Sequence, residues 1–162
     1  MRRRRCLLAA GIASLPALFL FAAREACAQQ INLSNTRSLD FGRFVAGSGG
    51  TVVIGPSGLR SRTGGVILLN SPAAGQSTFT VSTSAGDGSG KAVIISLPAD
   101  GSTWLSSGGN SMAVGSFTSS PVSLGNVTAT GTTLSVGATL SVAANQAPGN
   151  YAGAFSLILN FQ

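Results

Sequence analysis

The chain has 162 residues, with 10 basic residues against 4 acids, no histidine and a formal net charge of +6. That length, with 44% apolar residues and only 9% charged, suits a single domain with a real core. It excludes a disordered polyelectrolyte, which combines low hydrophobicity with high net charge.

Residues 1–28 read as a signal peptide. Arg2 to Arg5 give the charged start, Leu7 to Ala23 the apolar run, and Ala26-Cys27-Ala28 a small-residue cleavage site before Gln29. An uncleaved anchor is the rival reading, because Cys6 to Ala23 just reaches spanning length, but Pro16 and the many alanines weaken it. Arg24-Glu25-Ala26 before Cys27 is not a lipoprotein box. Arg4-Arg5-Cys6-Leu7-Leu8 also fits a twin-arginine signal, and the general secretory route is preferred because nothing downstream binds a cofactor. Cleavage after Ala28 is expected to remove both cysteines, so export adds no disulfide. The remaining domain, residues 29–162, keeps Arg37, Arg43, Arg60, Arg62 and Lys91 against Asp40, Asp87 and Asp100, a net charge of +2. Its expected location is the periplasm, the cell surface or the medium, with no membrane span after cleavage.

Strand signals then follow at short intervals. Ile31–Ser34 and Ser38–Val45 open the domain, with Leu39 and Phe41 on one face. Gly47-Ser48-Gly49-Gly50 turns into Thr51–Ile54, and Gly55-Pro56-Ser57-Gly58 turns again. Gly64-Gly65 precedes the apolar run Val66–Leu69, and Ser77–Ser82 alternates with Phe79 and Val81 inward. The loop Gly86-Asp87-Gly88-Ser89-Gly90 leads into Ala92–Leu97, apolar on both faces and therefore expected to be central. Pro98-Ala99-Asp100-Gly101 breaks the chain. Ser111–Phe117 follows, with Met112 and Val114 on one face and a bulge expected at Gly115. Thr132–Ala143 alternates Leu134, Val136, Ala138, Leu140 and Val142 with small or polar residues, and Asn150–Phe161 closes the sequence. Sustained helical periodicity is missing. About seven to nine short strands predict an all-β domain, a single antiparallel β-sandwich of immunoglobulin-like or pilin-like kind. Its expected core is Phe41, Phe79, Val81, Leu134, Val136, Leu140, Phe155, Leu157 and Leu159.

The residue chemistry argues against catalysis. Beyond residue 28 there is no His, Cys or Glu to act as a base or an activated nucleophile, so no enzyme activity is expected. Gly86 to Lys91 departs from a phosphate-binding loop at Ala85 and Ala92, and reads as a hairpin loop. Gly109-Asn110-Ser111-Met112-Ala113 lacks the last glycine of a nucleophile elbow and reads as a turn. Asp40, Asp87 and Asp100 lie beside glycines or in turns, where aspartates cap backbone amides. Arg60-Ser61-Arg62, with Arg43 nearby, is too sparse for nucleic acid and reads as a solvated loop. No metal or cofactor is expected, since one carboxylate at Asp87 falls far short of a calcium site.

The last fourteen residues, Gly149 to Gln162, are the most specific feature. Their odd positions, Tyr151, Gly153, Phe155, Leu157, Leu159 and Phe161, form a nearly unbroken apolar face, while the even ones are small or polar apart from Ile158. A central strand closing the core explains this without a partner. The placing of Gly149 and Phe161 is also similar to the C-terminal signature of chaperone–usher pilin subunits. That resemblance implies strand addition to a periplasmic chaperone or to like subunits, with Gly149, Tyr151, Phe155, Leu157, Leu159 and Phe161 as contact residues. The pilin cysteine pair is absent, and only Ile31 and Leu33 alternate ahead of Leu39.

A second resemblance spans nearly the whole domain. Leu39-Asp40-Phe41-Gly42, Ala46 to Val52, Gly64-Gly65-Val66, Phe79-Thr80-Val81, Ile95 to Pro98, Leu134 to Leu140 and Ala143 to Tyr151 with Gly153-Ala154-Phe155 resemble a family of exported bacterial proteins, DUF 4402. It implies a secreted or surface β-sandwich and supplies no catalytic or ligand residues. Two functions are therefore expected. The first is a surface or fimbria-like structural protein acting through β-strand contacts, and the alternative is a self-contained secreted binding module for a surface glycan or protein.

Overall fold

The computed structural model describes residues 30–84 and 92–162. Those residues form an all-β, sandwich-like fold of antiparallel strands with no helix among them. The expected signal peptide, its cleavage site, and the loop carrying Asp87 and Lys91 lie outside the described residues.

The organising strand is β11 (Thr132–Val142), whose alternation is the cleanest in the sequence. Leu134, Val136, Ala138, Leu140 and Val142 are all buried, as a strand with one face on the core requires. β9 (Asn110–Ser120) runs along one edge of β11. The other edge is shared in turn by two strands. β6 (Ser77–Thr83) pairs with Thr132 to Val136, and β3 (Gly50–Ile54) with Ala138 to Val142. Gly137 marks the changeover. β1 (Ile31–Arg37) lies outside β6, β4 (Arg60–Gly64) outside β3, and β8 (Thr103–Ser107) outside β9. A second sheet has β7 (Val93–Ser96) between β10 (Ser123–Leu124) and β12 (Ile158–Phe161). A small ribbon pairs β2 (Phe44–Val45) with β5 (Ile67–Leu68).

Two apolar clusters fill the interior. One holds Phe41, Val52, Ile54, Val66, Met112, Val114 and the second half of β11. The other holds Phe79, Val81, Val93, Leu124, Val127, Leu134 and Val136. Phe117 packs against both and bridges them.

Several boundaries differ from expectation. The predicted Ser38–Val45 strand shrinks to a single bridge between Asp40 and Gly75 followed by β2. Asp40 breaks it by turning its own carboxylate onto the Gly42 amide at 2.7 Å, which holds the chain in a local turn. Arg60-Ser61-Arg62 lies on β4 and not in a loop, paired to Val52, Val53 and Ile54. β8 and β10 had no strand signal of their own. The bulge at Gly115 is present: register against β11 slips between Thr118 and Gly115, and Ser116 takes a positive φ of 46°. β7 is central to its sheet, yet Ile94 faces outward and is exposed, so only one of its faces is covered.

Candidate strand-contact site at the C-terminus

The C-terminal segment leaves β11 through a turn in which Asn145 adopts a positive φ of 54° and its amide donates to the Gly47 carbonyl. Tyr151 then ties the loop back. Its hydroxyl donates to the Ala147 carbonyl at 2.7 Å and accepts from Gln146 Nε2 at 2.9 Å. A tyrosine bonding the backbone a few residues upstream is a corner device of β-sandwiches. Here it aims the chain at β8.

Contact with β8 is close because both glycines lack a side chain. A Cβ at Gly149 would stand 2.6 Å from Ser107 Oγ, and one at Gly153 would stand 2.2 Å from the Trp104 carbonyl oxygen. Between them, Ala152 and Ser106 exchange both backbone hydrogen bonds, at 2.9 and 3.1 Å. Glycine at 153 is thus a requirement for backbone approach, whereas at 149 the obstacle is the Ser107 side chain.

From Gly153 to Leu157 the chain is extended but belongs to no strand, whereas Asn150–Phe161 was expected to be one continuous strand. The reason is that it changes sheets. It leaves β8 after Ala152 and joins β7 at Ile158, which faces Ser96. Two residues past Ser96 on β7's chain, Pro98 has no amide proton to extend that ladder. β12 then runs to Phe161 opposite Val93, and the Gln162 amide donates to the Ala92 carbonyl at 2.9 Å. β12 is the outer strand of its sheet, so its far edge carries no pairing among the described residues.

The expected alternation holds from Phe155 onward, while Gly153, on the same odd positions, is exposed like its neighbours Ala152 and Ala154. Tyr151, Phe155, Leu157, Leu159 and Phe161 are half-buried while Ala152, Ala154, Ser156, Ile158 and Asn160 are exposed. Tyr151 packs on the first cluster, and Phe155, Leu157, Leu159 and Phe161 on the second. Phe155 meets Phe79 edge-on, with ring centroids 6.1 Å apart, and Phe117 at 5.2 Å. None of the five is fully buried, so this face is a lid on the core, in contrast to the fully enclosed residues of β11.

Openings flank the lid. A groove of about 320 Å³ runs beside Gly153, Ala154 and Phe155, lined by Leu39, Phe41, Phe79, Leu105 and Val114 with a few small polar residues. Another of about 360 Å³ lies where the chain breaks between β7 and β8, against Leu97, Pro98, Ala99 and Ser156. Sequence reasoning missed the contribution of β8. Thr103 and Leu105 point inward there while the tryptophan between them points out and is 52% exposed, which reverses the usual apolar-inward pattern.

The polar candidates resolve as structural. Asp100 accepts a hydrogen bond from the Ser116 amide and so fixes the β9 bulge. Arg60 donates to the carbonyls of Leu69 at 3.0 Å and Arg43 at 2.8 Å. Burial lowers its guanidinium from the ordinary arginine value, and neighbouring Asp40 opposes that shift. Arg37 donates to the carbonyls of Ala73 and Ala74. The loop from Leu69 to Gly75 is thereby strapped down by two arginines.

A family model described as "Domain of unknown function (DUF4402)" matches residues 31–161, most of the chain. No curated protein and no solved structure matches it.

Proposed function

We propose that this chain, which belongs to the DUF4402 family, is an exported surface or fimbria-like structural protein that works through β-strand contacts along its C-terminal segment. One observation carries this reading. An alternating apolar segment ends as the outer strand of a sheet, and the unladdered stretch before it borders an apolar groove. Such an edge offers backbone donors and acceptors, with side-chain sites at every second residue, and strand addition uses both. A periplasmic chaperone or like subunits are partners of that chemistry.

The second reading, a self-contained binding module for a surface glycan or protein, is favoured by the docking of both terminal strands. β1 pairs with β6 and β12 with β7 inside the same domain. Size and stability separate the two. The strand-contact reading expects the exported protein to be recovered as assemblies or bound to a chaperone, and Ile158→Lys, an outward charge on the edge strand, to disperse them without lowering the melting temperature. A monomer at every concentration, with a sharp reversible melt, would sink it and leave the binding module ahead.

A further inference from the structure

The β2–β5 ribbon presents a second surface, independent of the strand-contact reading. Phe44 faces Leu68 and Val45 faces Ile67, and the Leu69 amide donates to the Arg43 carbonyl at 2.9 Å. Side chains alternate along each strand, so Phe44 and Leu68 share one face, and Arg43, Val45, Ile67 and Leu69 share the other. The first face packs on the core. The second is open: Val45 is 49% exposed, Ile67 55% and Leu69 39%. Arg43 stands exposed beside them. Arg60 bonds the facing carbonyls of Arg43 and Leu69, so a second guanidinium closes the end of the same ribbon.

We propose that this outer face, Val45, Ile67 and Leu69 with Arg43, docks on a membrane surface carrying anionic headgroups. Charge complementarity selects the occupant. Arg37, Arg43 and Arg60 surround the loop from Leu69 to Gly75 with one acid, Asp40, beside Arg60, which leaves an excess of cations around the ribbon. That excess favours a negative partner, and three exposed aliphatic side chains favour one that offers hydrocarbon as well. Apolar side chains entering the headgroup boundary while flanking arginines pair with anionic lipid fit this face.

The test is co-sedimentation of the protein with vesicles of phosphatidylcholine alone and of phosphatidylcholine with phosphatidylglycerol. Wild type is compared with Arg43→Gln and with Val45→Thr/Ile67→Thr. The threonines keep β-branching, so the ribbon should survive, and circular dichroism with a thermal melt checks that it does. Residues 1–28, in whatever state, are common to all variants, and the readout is the difference between them. Arg43→Gln is expected to lower binding to anionic vesicles about fivefold, the loss of one cation near such a surface. The double threonine variant is expected to lower it by about tenfold or more, and 1 M salt to reproduce the arginine effect. Variants that bind like wild type would overturn the proposal, as would a loss from Arg43→Gln on neutral vesicles equal to that on anionic ones. So would competition by soluble polyglutamate with no response to the threonines, which marks an acidic-protein site, or an oligomer that the threonines dissociate, which marks an interface between copies.

Discussion

Gly137 sits where β11 exchanges β6 for β3, and a Cβ there would lie 2.2 Å from the Ile54 carbonyl oxygen and 2.9 Å from the Pro56 nitrogen. Both obstacles are backbone, so the sheet would have to part. Gly137→Ala is expected to cost at least about 1–3 kcal/mol in urea denaturation, the range for overpacking a tight site. Arg60 tests a different kind of residue. Its planar fork spans two carbonyls, and a lysine keeps the charge without the fork, so Arg60→Lys should lose nearly as much stability as Arg60→Ala, about 1.5–3 kcal/mol. A full rescue by lysine would show that charge alone matters. The capping roles of Asp40 and Asp100 were legible in the sequence because a turn aspartate has few other uses. Gly137 was not. In an alternating strand it falls with Thr133, Ser135, Thr139 and Ser141 on the polar side, and only the arrival of β3 makes that position crowded.

Strands with one fully enclosed face were readable from alternation, and those that cap or cross were not. β6 and β11 appear with nearly the expected bounds, since every second residue is buried and most of those are apolar. The C-terminal segment has the same pattern but divides between two sheets, and periodicity carries no record of which backbone lies alongside. β8 escaped because its tryptophan faces out. The two alternating segments should differ in energy. Leu134 is fully buried, and Leu134→Ala is expected to cost about 2–5 kcal/mol. Leu157 is half-buried, so Leu157→Ala should cost roughly half that, about 1–2 kcal/mol. Equal losses by chemical denaturation would show that the C-terminal lid is as integral as β11, which would weaken the case for a segment available to partners.

The molecule as a whole depends on how its two apolar clusters are joined. β11 contributes its first half to one and its second half to the other, which makes it a shared backbone. Side chains join them mainly through Phe117, which packs on both and meets Phe155 of the C-terminal lid at 5.2 Å with the rings tilted by 43°. Phe155 in turn meets Phe79 within the second cluster. Because Phe117 follows the β9 bulge, the local slip at Gly115 and Ser116 aims this ring between the clusters. If the bridge couples the halves, Phe117→Ala should broaden the denaturant transition and lower its slope, the sign that one half opens ahead of the other. A double-mutant cycle on Phe117 and Phe155 should then return about 0.5–1.5 kcal/mol of interaction, as expected for an aromatic pair. A coupling near zero with an unchanged slope would mean that β11 alone holds the halves together, and that the C-terminal lid can leave without disturbing the first cluster.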